Sequence, residues 1–202
     1  LEGAGGRESA NGSWTLHVGR CVLAIRHHDG VLNPVTLRPF QPDDLPLVER
    51  LWQLYRHDLS EFRGMLPDDT GQFAPGRLPT YLDDPDSSGY LFHQDTRPVG
   101  FAFVSGLAIQ PLHISEFFVV RAVRRSGVGR FAARELFARH TGAWEVAFQE
   151  ENPGAARFWR RVAAEVCPTG YREERRAVPD KPHLPPDTWL LLTTSARPIS
   201  PR

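Results

Sequence analysis

The stretch FFVVRAVRRSGVGRFAAREL, Phe117 to Leu136, carries residue types that hold anions. Four apolar residues, Phe117 to Val120, run into Arg121, Arg124 and Arg125, then into Gly127 and Gly129, and a helical pattern follows. Glycines lack Cβ, so their backbone N–H groups can approach a ligand closely. A helix starting there adds unpaired N–H groups and the positive end of its dipole. Arginines alongside supply further charge for a diphosphate. Just upstream, Glu116 stands inside the apolar run HISEFFVV, where a carboxylate is costly to bury without a partner. It is either a functional base or a structural carboxylate paired with an arginine or a backbone N–H. His113, three residues earlier, is a second titratable group on the same segment.

Three anion-binding patterns compete. A P-loop needs GxxxxGK[ST], and no lysine follows these glycines. The dinucleotide pattern GxGxxG/A is formally met by Gly127, Gly129 and Ala132, with Glu150 and Glu151 about 20 residues on. That pattern places its first glycine at the end of a strand, whereas RAVRRS separates Val120 from Gly127. The third pattern uses the intervening residues: Arg124, Gly127 and Gly129 read R-x-x-G-x-G.

The surrounding elements follow from periodicity. VTLRPF (35–40) alternates as a strand. Leu45, Val48, Leu51, Trp52, Tyr55 and Leu59 mark one apolar helical face, with Asp43 or Asp44 as the expected cap. A loop rich in Pro, Gly and Asp follows, with a short helix near Leu78 to Leu82. GYLFHQ and PVGFAFVSGL read as a hairpin across DTR, and Leu112 to Val120 as a third strand. Beyond the glycine segment come a helix to about His140, the strand AWEVAFQ, and a helix opening at Pro153. Two strands, TGYREERRAV and TWLLLTT, close the chain. This alternation implies an α/β domain with a mixed sheet.

Composition excludes several classes. The 202 residues carry 24 basic and 24 acidic side chains, so no net field favours nucleic acid or an anionic membrane. No apolar run approaches the roughly 20 residues of a bilayer span. Cys21 and Cys167 have neither a CxxC partner nor a nearby histidine, and read as reduced thiols of a cytoplasmic protein. Leu1 to Gly12 is polar and Gly-rich, and reads as a leader without structure; Ser13 to Arg26 is compatible with one or two strands. The division expected is an N-terminal extension over 1–30 and one domain over 31–202.

The R-x-x-G-x-G segment resembles the acetyl-CoA-binding motif of the GNAT superfamily of N-acetyltransferases, [QR]-x-x-G-x-[GA] after an apolar strand. VTLRPFQPDDLPLVERL resembles that family's opening strand and helix. NPGAARFW, Asn152 to Trp159, resembles its N-x-x-A-x-x-F-Y stretch, offset by one residue at the alanine. The resemblance spans about Val35 to Thr194. It implies a mixed, mostly antiparallel twisted sheet flanked by helices and splayed at the strands that take the cofactor. It also implies acetyl-CoA as cosubstrate, no metal, and transfer of acetyl to a primary amine. Val119 and Val120 would offer backbone groups to pantetheine. The N–H groups of Arg124, Arg125, Ser126, Gly127, Val128, Gly129 and Arg130 would hold the diphosphate, and Asn152 and Phe158 would contact the far side. Glu116 lies where the superfamily often has a polar group, and is the candidate base. The family's tyrosine acid is replaced by Trp159, whose indole N–H cannot serve; Tyr171 is a possible substitute.

The acceptor region implied by the resemblance holds Asp58, Glu61, Asp68, Asp69, Asp83, Asp84 and Asp86 among Tyr55, Phe62, Phe73 and Tyr81. Such a set suits a small cationic amine of aminoglycoside or polyamine type, or is simply a solvated acidic face. Rival readings are a protein N-acetyltransferase and a non-catalytic CoA-binding domain of the same fold. The apolar run Trp189 to Leu192 suggests either a central strand or a homodimer contact.

Overall fold

A computed structural model describes residues 14–17, 20–26, 32–178 and 181–195. The leader expected over Leu1 to Gly12 and the Cys21 side chain lie outside what is described. In chain order the elements are β1 (Trp14–His17), β2 (Arg20–Arg26), β3 (Leu32–Pro39), α1 (Leu45–Arg63), α2 (Leu78–Asp83), β4 (Ser87–Gln94) and β5 (Arg97–Ser105). They continue with β6 (Leu112–Val119), α3 (Val128–Arg139), β7 (Gly142–Phe148), α4 (Pro153–Val166), β8 (Arg172–Arg176) and β9 (Asp187–Thr194). One sheet takes the order β1-β2-β3-β4-β5-β6-β7-β9-β8. Every neighbouring pair is antiparallel except β6 and β7, which run parallel. The mixed, mostly antiparallel sheet expected from sequence is therefore present, with the β1–β2 hairpin extending one edge.

Helices cover both faces. Phe101, Phe103 and Phe118 join Val48, Leu51 and Trp52 of α1 and Leu78 and Tyr81 of α2 in one core. Ala102, Val104, Ile114 and Val119 join α3 and α4 in the other. Adjacent β5 residues thus point into different cores, which explains why FAFV is an unbroken apolar run rather than an alternating one.

The expected cap of α1 takes a different role. Asp44 accepts two bonds from the Arg38 guanidinium, at 2.6 and 2.7 Å, and one from the Gln41 N–H at 2.7 Å. The arginine is the main reason its carboxyl falls to a pKa of about 2. Asp44 therefore fastens β3 to a short 3₁₀ turn, Pro42–Asp44, and α1 itself starts without a side-chain cap. At its other end α1 stops at Gly64, whose φ of 61° is the left-handed conformation that glycine adopts without strain.

β9 lies between β7 and β8, so both of its edges are paired within the chain. Leu190 and Leu192 enter the core. On the opposite face, the Arg176 guanidinium lies 4.8 Å from the Trp189 ring centre. The apolar run Trp189 to Leu192 is accounted for without a second chain. Cys167 is buried as a free thiol. No helix among the described residues is long and apolar enough to cross a membrane.

The close packing of β5 on β6 generates a stability prediction. A Cβ on Gly100 would stand 2.2 Å from the Phe118 carbonyl oxygen, which is backbone and cannot swing aside. Gly100→Ala is expected to cost about 1–3 kcal/mol in urea unfolding. Leu54→Ala, on the exposed side of α1, should stay within about 0.5 kcal/mol of the parent.

Candidate active site

The site begins where β6 and β7 part. Their ladder contains only Leu112–Trp144, His113–Glu145 and Ile114–Val146, although both strands continue. On its other side β6 stays paired with β5 as far as Val119, with a register shift that leaves Ser115 unpaired between Ile114 and Glu116. A bulge of this kind re-aims the residues that follow it. Glu116 turns toward α1 and α2, while Phe117 turns toward α3 and α4.

The open edge of β6 is set by antiparallel alternation. The Val120 N–H donates to the Val99 carbonyl at 2.9 Å, so Val120 faces β5. Phe117 and Val119, out of phase with it, direct their N–H and C=O groups toward the gap left by β7. Of the two residues expected at this edge, Val119 faces the gap and Val120 faces β5, and Phe117 shares the phase of Val119. The Val119 carbonyl accepts a bond of 2.7 Å from Arg124 Nε.

The glycine segment, where a cradle was expected from Arg124 onward, carries a run of unbonded N–H groups that begins one residue later. The Arg124 N–H donates to the Arg121 carbonyl at 3.1 Å and is already used. From Arg125 to Arg130 the N–H groups have no acceptor among the described residues, and α3 has no side-chain cap. Gly127 has φ 99° and Arg125 φ 66°, both left-handed, which curls consecutive N–H groups into one concavity. Behind it, a Cβ on Gly129 would lie 3.4 Å from Phe158 and 3.5 Å from Val119. The backbone is thus wedged against both side chains expected to line the cofactor.

Side chains expected beside the diphosphate are mostly engaged elsewhere. Arg124 and Arg121 both pair with Asp58 of α1. Arg130 bonds Glu165 at 2.7 Å, and the Ser126 hydroxyl donates to the Val123 carbonyl at 2.7 Å. The Val128 side chain is fully buried, so only its N–H is offered. Asn152 accepts from the Ala155 N–H at 3.0 Å and caps α4. Phe158 packs 5.6 Å from Phe117, and Trp159 packs 5.1 Å from the same ring.

Glu116 lies on the opposite face, half-buried. It accepts a bond from the Tyr55 hydroxyl and another, 3.2 Å long, from Tyr81. Burial pushes its pKa above the ordinary carboxylate range, and the two tyrosines pull against that shift. Burial, then the Glu116 charge, pushes both tyrosines upward, so they remain donors across the physiological range. His113 is held down by burial; its Nδ1 lies 3.9 Å from Glu145 and its ring 6.2 Å from Trp189. Tyr171 lines a groove with Pro111, Ala143 and Thr193 at the closed end of the β6–β7 pair.

Four acids of the expected acceptor region are engaged by nearby groups. Asp58 pairs with Arg121 and Arg124. Asp84 accepts from Ser87 and the Asp86 N–H, Asp86 from the Ala108 N–H, and Asp68 from Thr70 and Gln72. They close loops and anchor helices. What sequence reasoning missed was the pair of tyrosines on Glu116; Tyr55 and Tyr81 had been grouped with the acids. Among the described residues no group of three His, Cys, Asp or Glu side chains is placed to hold a metal.

Comparisons with solved structures bear on this arrangement. An acetyltransferase from Thermus thermophilus aligns at TM-score 0.55 with 21% identity, over 79% of this chain and 96% of that one. The spermidine N-acetyltransferase of Vibrio cholerae, solved with CoA and spermine, aligns at 0.55 with 13% identity, over 79% and 95%. The ribosomal-protein-S18-alanine N-acetyltransferase of Escherichia coli aligns at 0.53 with 14% identity, over 83% and 99%. At these identities the likeness is one of fold. Comparison with curated proteins gives no significant sequence match. The model of the Acetyltransferase (GNAT) family matches residues 48–163, more than half of the chain, and with it this chain belongs to that family of acyltransferases.

Proposed function

We propose that the chain transfers the acetyl group of acetyl-CoA to the primary amine of a small molecule, with Glu116 taking the proton. The observation that carries this reading is the placement of Glu116. It is a carboxylate with a raised pKa, held by Tyr55 and Tyr81, immediately after the bulge where β6 leaves β7. The family fixes acetyl transfer; the acceptor and the residue roles are our reading.

The unpartnered N–H series from Arg125 to Arg130 suits a diphosphate, as does the start of α3 behind it. The open-edge groups of Phe117 and the Val119 N–H suit the pantetheine amides, and Phe158 and Trp159 form an apolar wall on the same face. The bound thioester supplies an electrophilic carbonyl carbon and a thiolate that leaves. An ammonium has no lone pair, so the acceptor must lose a proton before its nitrogen attacks. Glu116 accepts that proton, and Tyr55 and Tyr81 hold its oxygens in place. Trp159 has no proton to lend, so the departing thiolate takes one from solvent. The spermidine and spermine of the Vibrio relative support a small-molecule amine as the acceptor class.

Two measurements test this. Glu116→Gln keeps size and hydrogen bonding but removes basicity, so acetyl transfer near neutral pH should fall roughly 10²- to 10⁴-fold. Acetyl-CoA affinity by calorimetry should be unchanged, because the N–H cradle lies on the other face. The pKa of Glu116 is raised, so the parent should lose activity as pH falls while ordinary carboxylates are still ionised. That acid limb should vanish in Glu116→Gln. The stability change has the opposite sense: relative to Glu116→Gln, the parent should lose stability as pH rises through that raised pKa. A fully active Glu116→Gln protein at pH 7 would remove Glu116 from the chemistry.

The second measurement addresses the cradle. Acetyl-CoA at about 100 times its dissociation constant should stabilise the parent by roughly 2.7 kcal/mol. Gly129→Glu forces a side chain against Phe158 and puts negative charge beside the diphosphate, and should abolish that gain. Equal stabilisation of both proteins in a thermal shift would place the cofactor elsewhere.

A further inference from the structure

The acceptor side of Glu116 contains two cations that no carboxylate among the described residues pairs with. Tyr55 and Arg56 are neighbours on α1, and the Arg56 guanidinium packs on the backbone that leads into α2. Its Nη1 lies 3.5 Å from where a Cβ on Gly76 would stand. The next residue is Arg77, whose guanidinium lies 5.3 Å from the centre of the Tyr81 ring. That same tyrosine donates to Glu116. Both arginines act on the Glu116 charge, yet neither forms an ion pair or a hydrogen bond among the described residues. The remaining arginines of this neighbourhood are taken: Arg63 by Asp187, and Arg121 and Arg124 by Asp58.

Arg56 is the more telling of the two. Its Nε is buried and has no acceptor. A buried donor without a partner bears its full desolvation cost, and folding gains nothing by placing it there. Such a donor is satisfied when an oxygen arrives from outside. No ion pair joins Arg56 to a nearby acid among the described residues: Asp58 pairs with Arg121 and Arg124, while Asp84 and Asp86 accept from hydroxyl and backbone N–H donors. A carboxylate would satisfy such a donor, and a guanidinium fork matches a carboxylate in shape.

We infer that the acceptor is a zwitterionic amine whose carboxylate binds between Arg56 and Arg77 while its nitrogen faces Glu116. The inference rests on the reading of Glu116 as proton acceptor and names the substrate class for that site. The amine nitrogen forms its bond to the acetyl carbon, the carbon–sulfur bond breaks, and the amine's proton passes to Glu116. The products are the N-acetyl amino acid and CoA thiol, with the substrate carboxylate unchanged.

The test is a matched panel with saturating acetyl-CoA and thiol release as readout. Linear amino acids from glycine to 6-aminohexanoate are compared with the alkylamines that lack the carboxylate, and with spermidine. The carboxylated member of at least one pair should have the higher kcat/KM, with spermidine poorer than both. Arg56→Gln and Arg77→Gln should each raise KM for that amino acid by about 10- to 100-fold, the loss expected for a charge-assisted hydrogen bond. Each should leave KM for the alkylamine within about twofold, a difference that a general folding defect would not produce. Arg77 is exposed, so its variant keeps the test sound if Arg56→Gln folds poorly. Arg77→Lys should recover part of the loss. Glu116→Gln should instead lower kcat for both members of a pair. An unaffected Glu116→Gln alongside selective arginine variants would overturn the base and leave the carboxylate site standing. Alkylamines or spermidine used as well as the amino acids, or equal losses for both classes, would overturn the carboxylate site alone. If nothing in the panel turns over, calorimetry with CoA present decides. Amino-acid binding lost in Arg77→Gln supports the site, and no binding at millimolar concentration overturns it.

Discussion

The early end of the β6–β7 ladder is the constraint on which the rest of the site depends. A parallel pair held by only three register positions cannot close its remaining length, and the bulge at Ser115 bends β6 away as it continues. Two consequences follow from that one irregularity. The backbone groups of Phe117 and the Val119 N–H are left without a strand partner on the open side, where the Val119 carbonyl takes Arg124. Glu116 is re-aimed to the α1–α2 face, against the alternation that Leu112 and Ile114 had set. A strand paired fully on both edges would offer neither.

The sheet then separates two tasks. On one face, α3 presents unpartnered N–H groups, and Gly129 lets Val119 and Phe158 close in behind them. On the other, α1 and α2 bring two tyrosines to one carboxylate. The faces are mechanically tied. Asp58 of α1 holds both Arg121 and Arg124, so the helix that carries Tyr55 and Arg56 is fastened to the loop that leads into the N–H cradle. Arg124 also reaches the Val119 carbonyl, which joins that loop to the open strand edge.

Electrostatics around Glu116 is a contest between burial and donors. Burial favours the neutral acid, while Tyr55 and Tyr81, with the more distant Arg77 and Arg56, favour the carboxylate. A group balanced in this way changes protonation at modest cost, as a base requires. Trp159, by contrast, sits buried against Phe117 and Phe158 and contributes packing alone.

Much of this protein was legible before any tertiary contact was known. The R-x-x-G-x-G spacing pointed to the unbonded N–H run at the start of α3 because backbone N–H exposure is a local property of glycine and helix starts. The order of strands and helices was equally local, set by periodicity and turn residues. Glu116 stood out because a charge inside an apolar strand is anomalous on its face. What sequence could not supply were the properties that depend on partners far apart in the chain. Local reading assigned Asp44 to α1, but Arg38 captured it. It left seven acids as either a cation site or a solvated face, whereas folding brings arginines to Asp58 and a loop N–H to Asp86. It offered Val120 as an open edge, although ladder phase, which only strand pairing sets, gave that role to Phe117. Tyr55 and Tyr81 met Glu116 across separations of 61 and 35 residues, and Arg56 came to rest beside Gly76. Composition determines which charges exist; only the packed structure decides which of them remain unpaired, because a salt bridge requires proximity and sequence separation does not measure it.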